Sequence, residues 1–202
     1  MASFHGVGVI ADDIVRRETK QGVLATFRLA SGATGKGRHW ITIETWGHTA
    51  GILHTHGHQG RGIAVSGRLT TNTWRDRTTG QQRSNLVVTA ADLDFLDPDQ
   101  NANELDIPNH VLAVGRLTTE PTRDQTGERL LFTLTSGQAG AKTGRLWLPV
   151  ESWGRTLNDA SHLRVGDHVA IAGRLTYRTR ANSDGEKIAG HELSAYSLST
   201  IQ

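Results

Sequence analysis

Five tryptophans fall on segments in which apolar and polar residues alternate, and each takes the polar side of its segment. In 39–46, for example, Ile41 and Ile43 occupy one set of alternate positions and two tryptophans occupy the other. Successive side chains of a β-strand point to opposite faces, so a strand that buries its isoleucines presents its tryptophans to solvent. An exposed indole can stack on a nucleobase whatever the base sequence. The candidate stacking residues are Trp40, Trp46, Trp74, Trp147 and Trp153.

Arginine is the second residue type on these segments with a chemistry of its own, since 18 of the 22 basic residues are arginine. A guanidinium pairs with phosphate and stacks on bases. Rings beneath bases and arginines along phosphates together indicate a surface for a single nucleic-acid strand. Two alternatives stay open: a GC-rich codon usage explains the arginines equally well, and some tryptophans would fill a subunit or interdomain interface. The candidate backbone contacts are Arg28, Arg38, Arg68, Arg75, Arg77, Arg83, Arg145, Arg174, Arg178 and Arg180.

The elements that position these residues occur twice, about 106 residues apart. The recurring residues are Trp40, Glu44, Trp46 and Gly47, repeated as Trp147, Glu151, Trp153 and Gly154, together with 67–70, repeated as 173–176. A period far longer than a solenoid repeat indicates a duplicated domain. We predict homologous domains at 1–96 and 109–202, joined by a linker at 97–108 that is acidic and contains two prolines.

Charge and composition narrow the class of protein. The first domain has 11 basic and 7 acidic residues, the linker has none and 4, and the second domain has 11 and 9. Both domains are therefore mildly basic, which suits a phosphate-bearing partner without establishing one. Cysteine is absent, so disulfides and thiolate chemistry are excluded. No signal pattern begins the chain and no stretch reaches the ~20 apolar residues of a membrane span, so we expect a soluble, cytoplasmic protein with no membrane partner.

Each half shows five short segments with the period of two that is typical of strands, separated by glycine and polar turns. The predicted strands are 7–10, 23–31, 39–46, 62–74 and 84–95, then 110–118, 129–136, 145–153, 168–177 and 187–198. Between the third and fourth strands, 48–59 and 155–165 are each long enough for one short helix. This order is that of the OB-fold, a five-stranded Greek-key barrel. The predicted fold class is all-β, with two tandem OB-folds.

Two segments carry a family resemblance. The sequence of 109–121, Asn-His-Val-Leu-Ala-Val-Gly-Arg-Leu-Thr-Thr-Glu-Pro, is similar to the opening strand of the bacterial single-stranded-DNA-binding proteins, and 67–74 with 80–83 resembles their fourth strand and hairpin. The likeness covers both predicted domains and excludes the linker. It implies base stacking at the five tryptophans named above. It also places Arg180 where an aromatic is expected, and an arginine can still stack there.

The resemblance implies a function, an assembly and a location. The function is sequence-tolerant binding and protection of single-stranded DNA during replication, recombination, repair or plasmid transfer, with no catalysis and no cofactor. Relatives with one OB domain per chain form tetramers and some lineages with two form dimers, which implies a nucleoid-associated homodimer with four OB domains. Relatives that recruit other enzymes end in an acidic tail, whereas 198–202 directly follow the last predicted strand. Replication or transfer proteins stay open as partners, and no recruiting tail is visible in this sequence.

A histidine cluster and two alternative functions have weaker support in the sequence. His54, His56 and His58 have the spacing of metal ligands, but 155–165 contains a single histidine, and neither region offers a completing carboxylate cluster. We therefore expect a solvated helix end and no metal. One alternative function is an OB-fold accessory module, primosome-like or conjugation-associated, that binds a helicase or relaxase. A metal-dependent nuclease on an OB scaffold is another, and the lack of paired carboxylates argues against it.

Overall fold

The computed structural model describes residues 1–32, 38–97, 109–137, 146–181 and 187–201, without the side chains of 180, 181 and 187–189. Most of the predicted linker and Arg145 lie outside the described residues, as does the side chain of Arg180. Within the described ranges, strands dominate both halves and each half contains one helix.

The first half forms a barrel of antiparallel strands with one parallel pair. Its elements are β1 (Ala2–Ile10), β2 (Val15–Thr19), β3 (Gly22–Ser31), β4 (His39–Trp46), α1 (Gly47–His56), β5 (Gly62–Arg75) and β6 (Gln82–Phe95). The strand order is β3-β4-β6-β5-β1, and β1 pairs back onto β3. Strands β4 and β6 are parallel, with Ile43 opposite Val88. The return of β1 to β3 closes the barrel.

The second half repeats this arrangement strand for strand. Its elements are β7 (His110–Leu117), β8 (Thr122–Arg123), β9 (Arg129–Ser136), β10 (Leu146–Trp153), α2 (Gly154–Ser161), β11 (His168–Ala181) and β12 (Lys187–Thr200). The order is β9-β10-β12-β11-β7, and β7 pairs back onto β9. Strands β10 and β12 are parallel, with Val150 opposite Leu193. The duplication seen in the sequence is therefore a duplication of topology.

The short strands β2 and β8 were not expected from the sequence. Strand β2 pairs with β3 and β8 pairs with β9. All five residues of β2 and both of β8 are exposed. A strand with no buried face has no apolar alternation, so pattern analysis does not find it. The other ten strands are the predicted ones, with β1 beginning five residues earlier than expected.

Apolar side chains, most of them aliphatic, fill the interior of each barrel from the inward faces of the five long strands. The largest fully buried side chains in the first half are Phe4, Ile10, Leu29, Ile43, Leu53, Ile63 and Leu69, and those in the second are Leu117, Leu134, Leu148, Leu163 and Ile171. Helix α1 contributes Ala50 and Leu53 to its core. Each core is thus built from alternate residues, which commits the other set of positions to the outer face.

A glycine follows the last tryptophan of the third predicted strand in each half. Gly47 and Gly154 have φ of +58° and +50° and open helices α1 and α2. Only glycine adopts this backbone conformation at little cost, so the Trp-Gly pair turns the chain sharply from strand into helix. This requirement explains why the pair recurs in the sequence.

The described residues group into two compact units. One unit contains Ser3–Leu69 and Leu86–Asn109, and the other contains Met1–Ala2, Thr70–Asn85 and His110–Gln202. The outer part of the β5–β6 hairpin therefore belongs to the same unit as the second barrel. Among the described residues, neither helix is long and apolar enough to cross a membrane.

Barrel closure predicts the effect of one substitution. A Cβ added at Gly115 would lie well inside van der Waals contact of the Thr135 carbonyl oxygen on β9. Gly115→Ala should destabilise the second barrel by about 1–3 kcal/mol, because backbone must move to admit the methyl group. Gly51→Ala is the matched control, since nothing lies within 4 Å of that added Cβ in helix α1. Thermal unfolding of both variants checks this, and an unchanged melting temperature for Gly115→Ala would contradict it.

Candidate nucleic-acid interface

The outer face of the first barrel carries the predicted stacking residues in register. On β4, Ile41 and Ile43 are buried, while Trp40 is exposed and Thr42, Glu44 and Trp46 are partly exposed. Cross-strand pairing places Leu24 opposite Trp46 and Arg28 opposite Thr42 on β3. The alternation predicted from the sequence is thus present, and one continuous face combines indoles with polar side chains.

Four of the five tryptophans are large exposed apolar side chains. The exposed fractions are 46% for Trp40, 45% for Trp74, 47% for Trp147 and 39% for Trp153. Trp46 is only partly exposed. More than half of each exposed residue's surface is covered by the protein and the remainder is open. Such rings are held in place while a flat face or edge remains accessible to a ligand.

The predicted arginines differ in how readily they can meet a phosphate. Arg68, Arg75, Arg77, Arg83 and Arg174 are exposed, and Arg38 is partly exposed. Arg28 is exposed but its Nε donates to Asp12 Oδ2 at 2.6 Å. Arg178 donates to Glu151, as described below. A guanidinium already paired with a carboxylate must share or exchange that partner to bind phosphate, so the exposed arginines outside these ion pairs are the stronger candidates.

The second barrel contains an ion-pair network around Trp153. Glu151 is fully buried although it lies on the outer face, and both of its oxygens accept hydrogen bonds. Arg129 Nη1 donates to Glu151 Oε2 at 3.3 Å, and Arg178 Nη2 donates to Glu151 Oε1 at 3.0 Å. The same guanidinium groups lie 5.3 Å and 5.5 Å from the Trp153 ring centroid. Both distances are in the cation–π range.

Asp124 extends this network from the β8–β9 turn. Its Oδ2 accepts from Arg129 Nε at 2.8 Å, and its Oδ1 accepts from the Arg129 backbone N–H at 3.2 Å. Burial works to raise the pKa of Asp124, but the hydrogen bonds from Arg129 and Thr126 outweigh it and lower that pKa. The hydrogen bond with Asp124 correspondingly raises the pKa of Arg129. The guanidinium is therefore fixed between two carboxylates.

Glu44, the counterpart of Glu151, has a different environment. It lies opposite Thr26 on β3 and Thr89 on β6. Among the described residues it takes part in none of the ion pairs found in the first barrel, which join Arg16 to Glu18 and Arg28 to Asp12. Burial raises the pKa of Glu44. The two corresponding glutamates thus differ. Glu151 binds two arginines, whereas Glu44 is partly buried and is in none of the ion pairs seen among the described residues.

Sequence reasoning missed Arg129, and also the exposed aromatics Tyr177 and Tyr196. Arg129 opens β9 and lies directly opposite Trp153. The alignment of the two halves could have identified Arg129, because it pairs this arginine with Leu24. The second half thus has a charged residue where the first has an apolar one. Tyr177 stacks edge-to-face on His191, with ring centroids 5.2 Å apart. Tyr177 shares the strand parity of the buried Leu175, so alternation gives no indication that it is exposed.

Metal ligation finds no support in the described part of the chain, where no group of three or more histidine, aspartate or glutamate side chains could hold an ion. His54 and His56 are exposed in the last turn of helix α1, and His58 follows the helix. His58 Nδ1 lies 3.0 Å from the backbone oxygen of Gln59.

The geometry defines a class of protein, namely tandem OB barrels with solvent-facing indoles and arginines. The model of the Single-strand binding protein family matches residues 1–96 and 108–201. The chain therefore belongs to this family, and the predicted membership is confirmed.

Curated relatives agree with this assignment. The chain is 31% identical over 99 residues to Single-stranded DNA-binding protein 1 of Chlorobaculum tepidum, which covers 45% of this chain and 61% of that protein. It is 29% identical over 146 residues to a single-stranded DNA-binding protein of Thermus thermophilus, covering 64% of this chain and 54% of that protein. The chain thus spans little more than half the length of these relatives.

Solved structures confirm the fold. The crystal structure of a deletion mutant of the Thermus aquaticus single-stranded DNA binding protein is similar with a TM-score of 0.76, covering 100% of this chain and 95% of that one. The wild-type Thermus aquaticus structure gives a TM-score of 0.74. Sequence identity is 20% in both cases. The predicted pair of OB-folds in one chain is confirmed.

The partly buried carboxylate of Glu44 predicts a pH dependence of stability. Its folded-state pKa is raised above 4.5, so the protonated form is favoured on folding and stability is lost as the pH rises through the raised value. Glu44→Gln should therefore unfold like the wild type near about pH 4 and at a higher temperature near about pH 7. Melting curves across this range provide the measurement.

Glu151→Gln is the contrasting control for that experiment. At neutral pH it should lower stability by about 1–3 kcal/mol, because the amide carries no charge and replaces one of the two accepting oxygens with an NH2 donor that faces a guanidinium. Parallel shifts of the two variants would contradict the difference between the two carboxylates.

Proposed function

We propose that this protein binds single-stranded DNA with little sequence preference, without catalysis, and shields it from reannealing and nucleases. The observation that carries the proposal is the row of half-exposed indoles on the outer faces of the barrels, led by Trp40 and Trp147. Base–aromatic stacking contributes ~1–3 kcal/mol per base and accepts any base, because every base has a π-face. Exposed arginines on the same faces supply the complementary contacts to phosphates.

The names of the curated relatives support the same proposal. The Chlorobaculum tepidum and Thermus thermophilus relatives are single-stranded DNA-binding proteins by name. We infer that the halves 1–96 and 109–202 act as two binding domains joined at 97–108, and that the five tryptophans stack on bases. The backbone contacts would come from the predicted arginines, including Arg145 and Arg180. A role in replication, recombination, repair or plasmid transfer, and a cytoplasmic, nucleoid-associated location, follow from this proposal.

Fluorescence titration with dT and U oligomers of graded length tests the function. Tight binding of dT with strong quenching of tryptophan emission is the expected result, because stacked bases quench indoles. Weak binding to every oligomer, together with a stable complex with a helicase or relaxase, would instead favour the accessory-module alternative. Degradation of labelled oligonucleotide in the presence of Mg²⁺ would overturn the proposed lack of catalysis.

Individual tryptophans provide a sharper prediction. Trp40→Ala, Trp74→Ala and Trp147→Ala should each weaken the affinity for dT oligomers by about 1–3 kcal/mol and leave the melting temperature nearly unchanged. Ile52→Ala is the control, since Ile52 is an exposed apolar residue on helix α1 and not on a strand. Large destabilisation with unaltered affinity would show that a ring belongs to the core.

Assembly is predicted to follow the domain count. A chain with two OB domains should form a homodimer with four, because the resemblance implies an assembly of four domains. Light scattering at micromolar concentration should give twice the mass of one chain. The first strand of each barrel, near Val7 and Val111, is the expected interface element, and of these two residues only Val7 keeps exposed surface, since Val111 is buried within the chain. A monomer mass under these conditions would exclude the dimer.

A further inference from the structure

The guanidinium groups of Arg129 and Arg178 lie against the ring of Trp153, and the buried carboxylate of Glu151 holds both of them there. Their shared acceptor, Glu151, has a side chain with no exposed surface, whereas the side chains of Arg129 and Arg178 are 27% and 38% exposed. The carboxylate is thus hidden under the groups it binds. A ligand approaching this end of the face meets guanidinium and indole planes first.

The network carries no net formal charge. Arg129 and Arg178 contribute two positive charges, while Glu151 and Asp124 contribute two negative ones. Salt-dependent binding to nucleic acid arises when basic residues replace the counterions of phosphates. A neutral cluster supplies little of this effect. It does present flat surfaces that are already ordered, so little conformational entropy is lost when a base stacks on them.

Of the four charged residues in this network, only Glu151 has a charged counterpart in the first half, namely Glu44. Leu24 lies opposite Trp46, where Arg129 lies opposite Trp153 in the second half. The nearly constant offset of the repeat aligns Asn72 with Arg178 and Thr19 with Asp124. Duplication therefore started from one site and produced two with different chemistry around the same Glu-x-Trp segment.

We propose that Glu151 is a positioning residue that holds Arg129 and Arg178 against Trp153, so that the second barrel offers the strand a preformed, electrically neutral stacking platform. This inference rests on the proposed function and deepens it. Bases contact the second barrel here through guanidinium planes and the indole edge, because a guanidinium stacks on bases as well as pairing with phosphate. The contact contributes affinity that salt does not remove.

The test compares one substitution at the two corresponding carboxylates. Binding of a dT oligomer is titrated from low salt to about 1 M salt, where charge interactions are screened beyond ~3 Å. Glu151→Gln should lose about ten-fold in affinity at high salt, since the platform is no longer held. It should also steepen the dependence of log affinity on log salt by about 0.7, since a guanidinium becomes free to bind phosphate. Glu44→Gln should show neither change.

Two arginine variants keep the test decisive if Glu151→Gln folds poorly. Arg178→Asn installs the residue of the first half and leaves Glu151 paired with Arg129. Its loss of affinity should persist at high salt. Arg174→Gln removes an exposed arginine of the same strand that forms none of the ion pairs seen among the described residues. Its loss should be confined to low salt. Identical salt behaviour of Arg178→Asn and Arg174→Gln would overturn the proposal.

A measurement without DNA separates this inference from the proposed function. The effects of Glu151→Gln and Arg178→Asn on the free energy of unfolding should be non-additive, because each removes the same contact. Additive effects would overturn the positioning role. A wild-type protein that fails to bind dT oligomers would overturn the proposed function and the platform's role in it, while non-additivity would still show the network in place.

Discussion

The outer faces depend on one constraint, the close pairing of β1 with β3 in the first barrel and of β7 with β9 in the second. Gly8 and Gly115 allow this pairing, because a side chain at either position would meet the carbonyl oxygen of Ala30 or Thr135. Closure assigns one face of each of the five long strands of a barrel to the interior, and mainly aliphatic residues fill it. The indoles are thereby committed to the outside, where a binding role explains them better than core packing.

Within that shared frame, the two halves have diverged on the face that carries the tryptophans. The first barrel places an apolar side chain opposite Trp46 and leaves Glu44 with a raised pKa, at a cost in stability when the carboxylate ionises. The second barrel uses the corresponding glutamate to bind two arginines. A buried carboxylate that loses its partners is costly, so this network is expected to be rigid.

Family membership and the observed faces support the same function by separate routes. The family model matches both halves and omits 97–107 between them. The exposure of Trp40 and Trp147 is observed in the structure and requires no relative. In the proposed function, stacking would account for sequence tolerance, and exposed arginines such as Arg68 and Arg174 would supply the attraction to phosphates. Duplication then places two such faces on one chain, so both are delivered to a strand together.

The sequence by itself determined the duplication, the ten strands with a buried face and the side of each strand on which a tryptophan lies. These follow from a period of two and from repeated residues, which are local properties of the chain. It could not reveal β2 and β8, which have no buried face, or distinguish an arginine held by a carboxylate from one that is not. Arg129, Glu151 and Arg178 are separated by more than twenty residues at each step, and only the pairing of β9 with β10 and the return of β11 brings them together. Local pattern therefore decided on which side of its strand each tryptophan lies, and tertiary structure decided which arginines are already paired with a carboxylate.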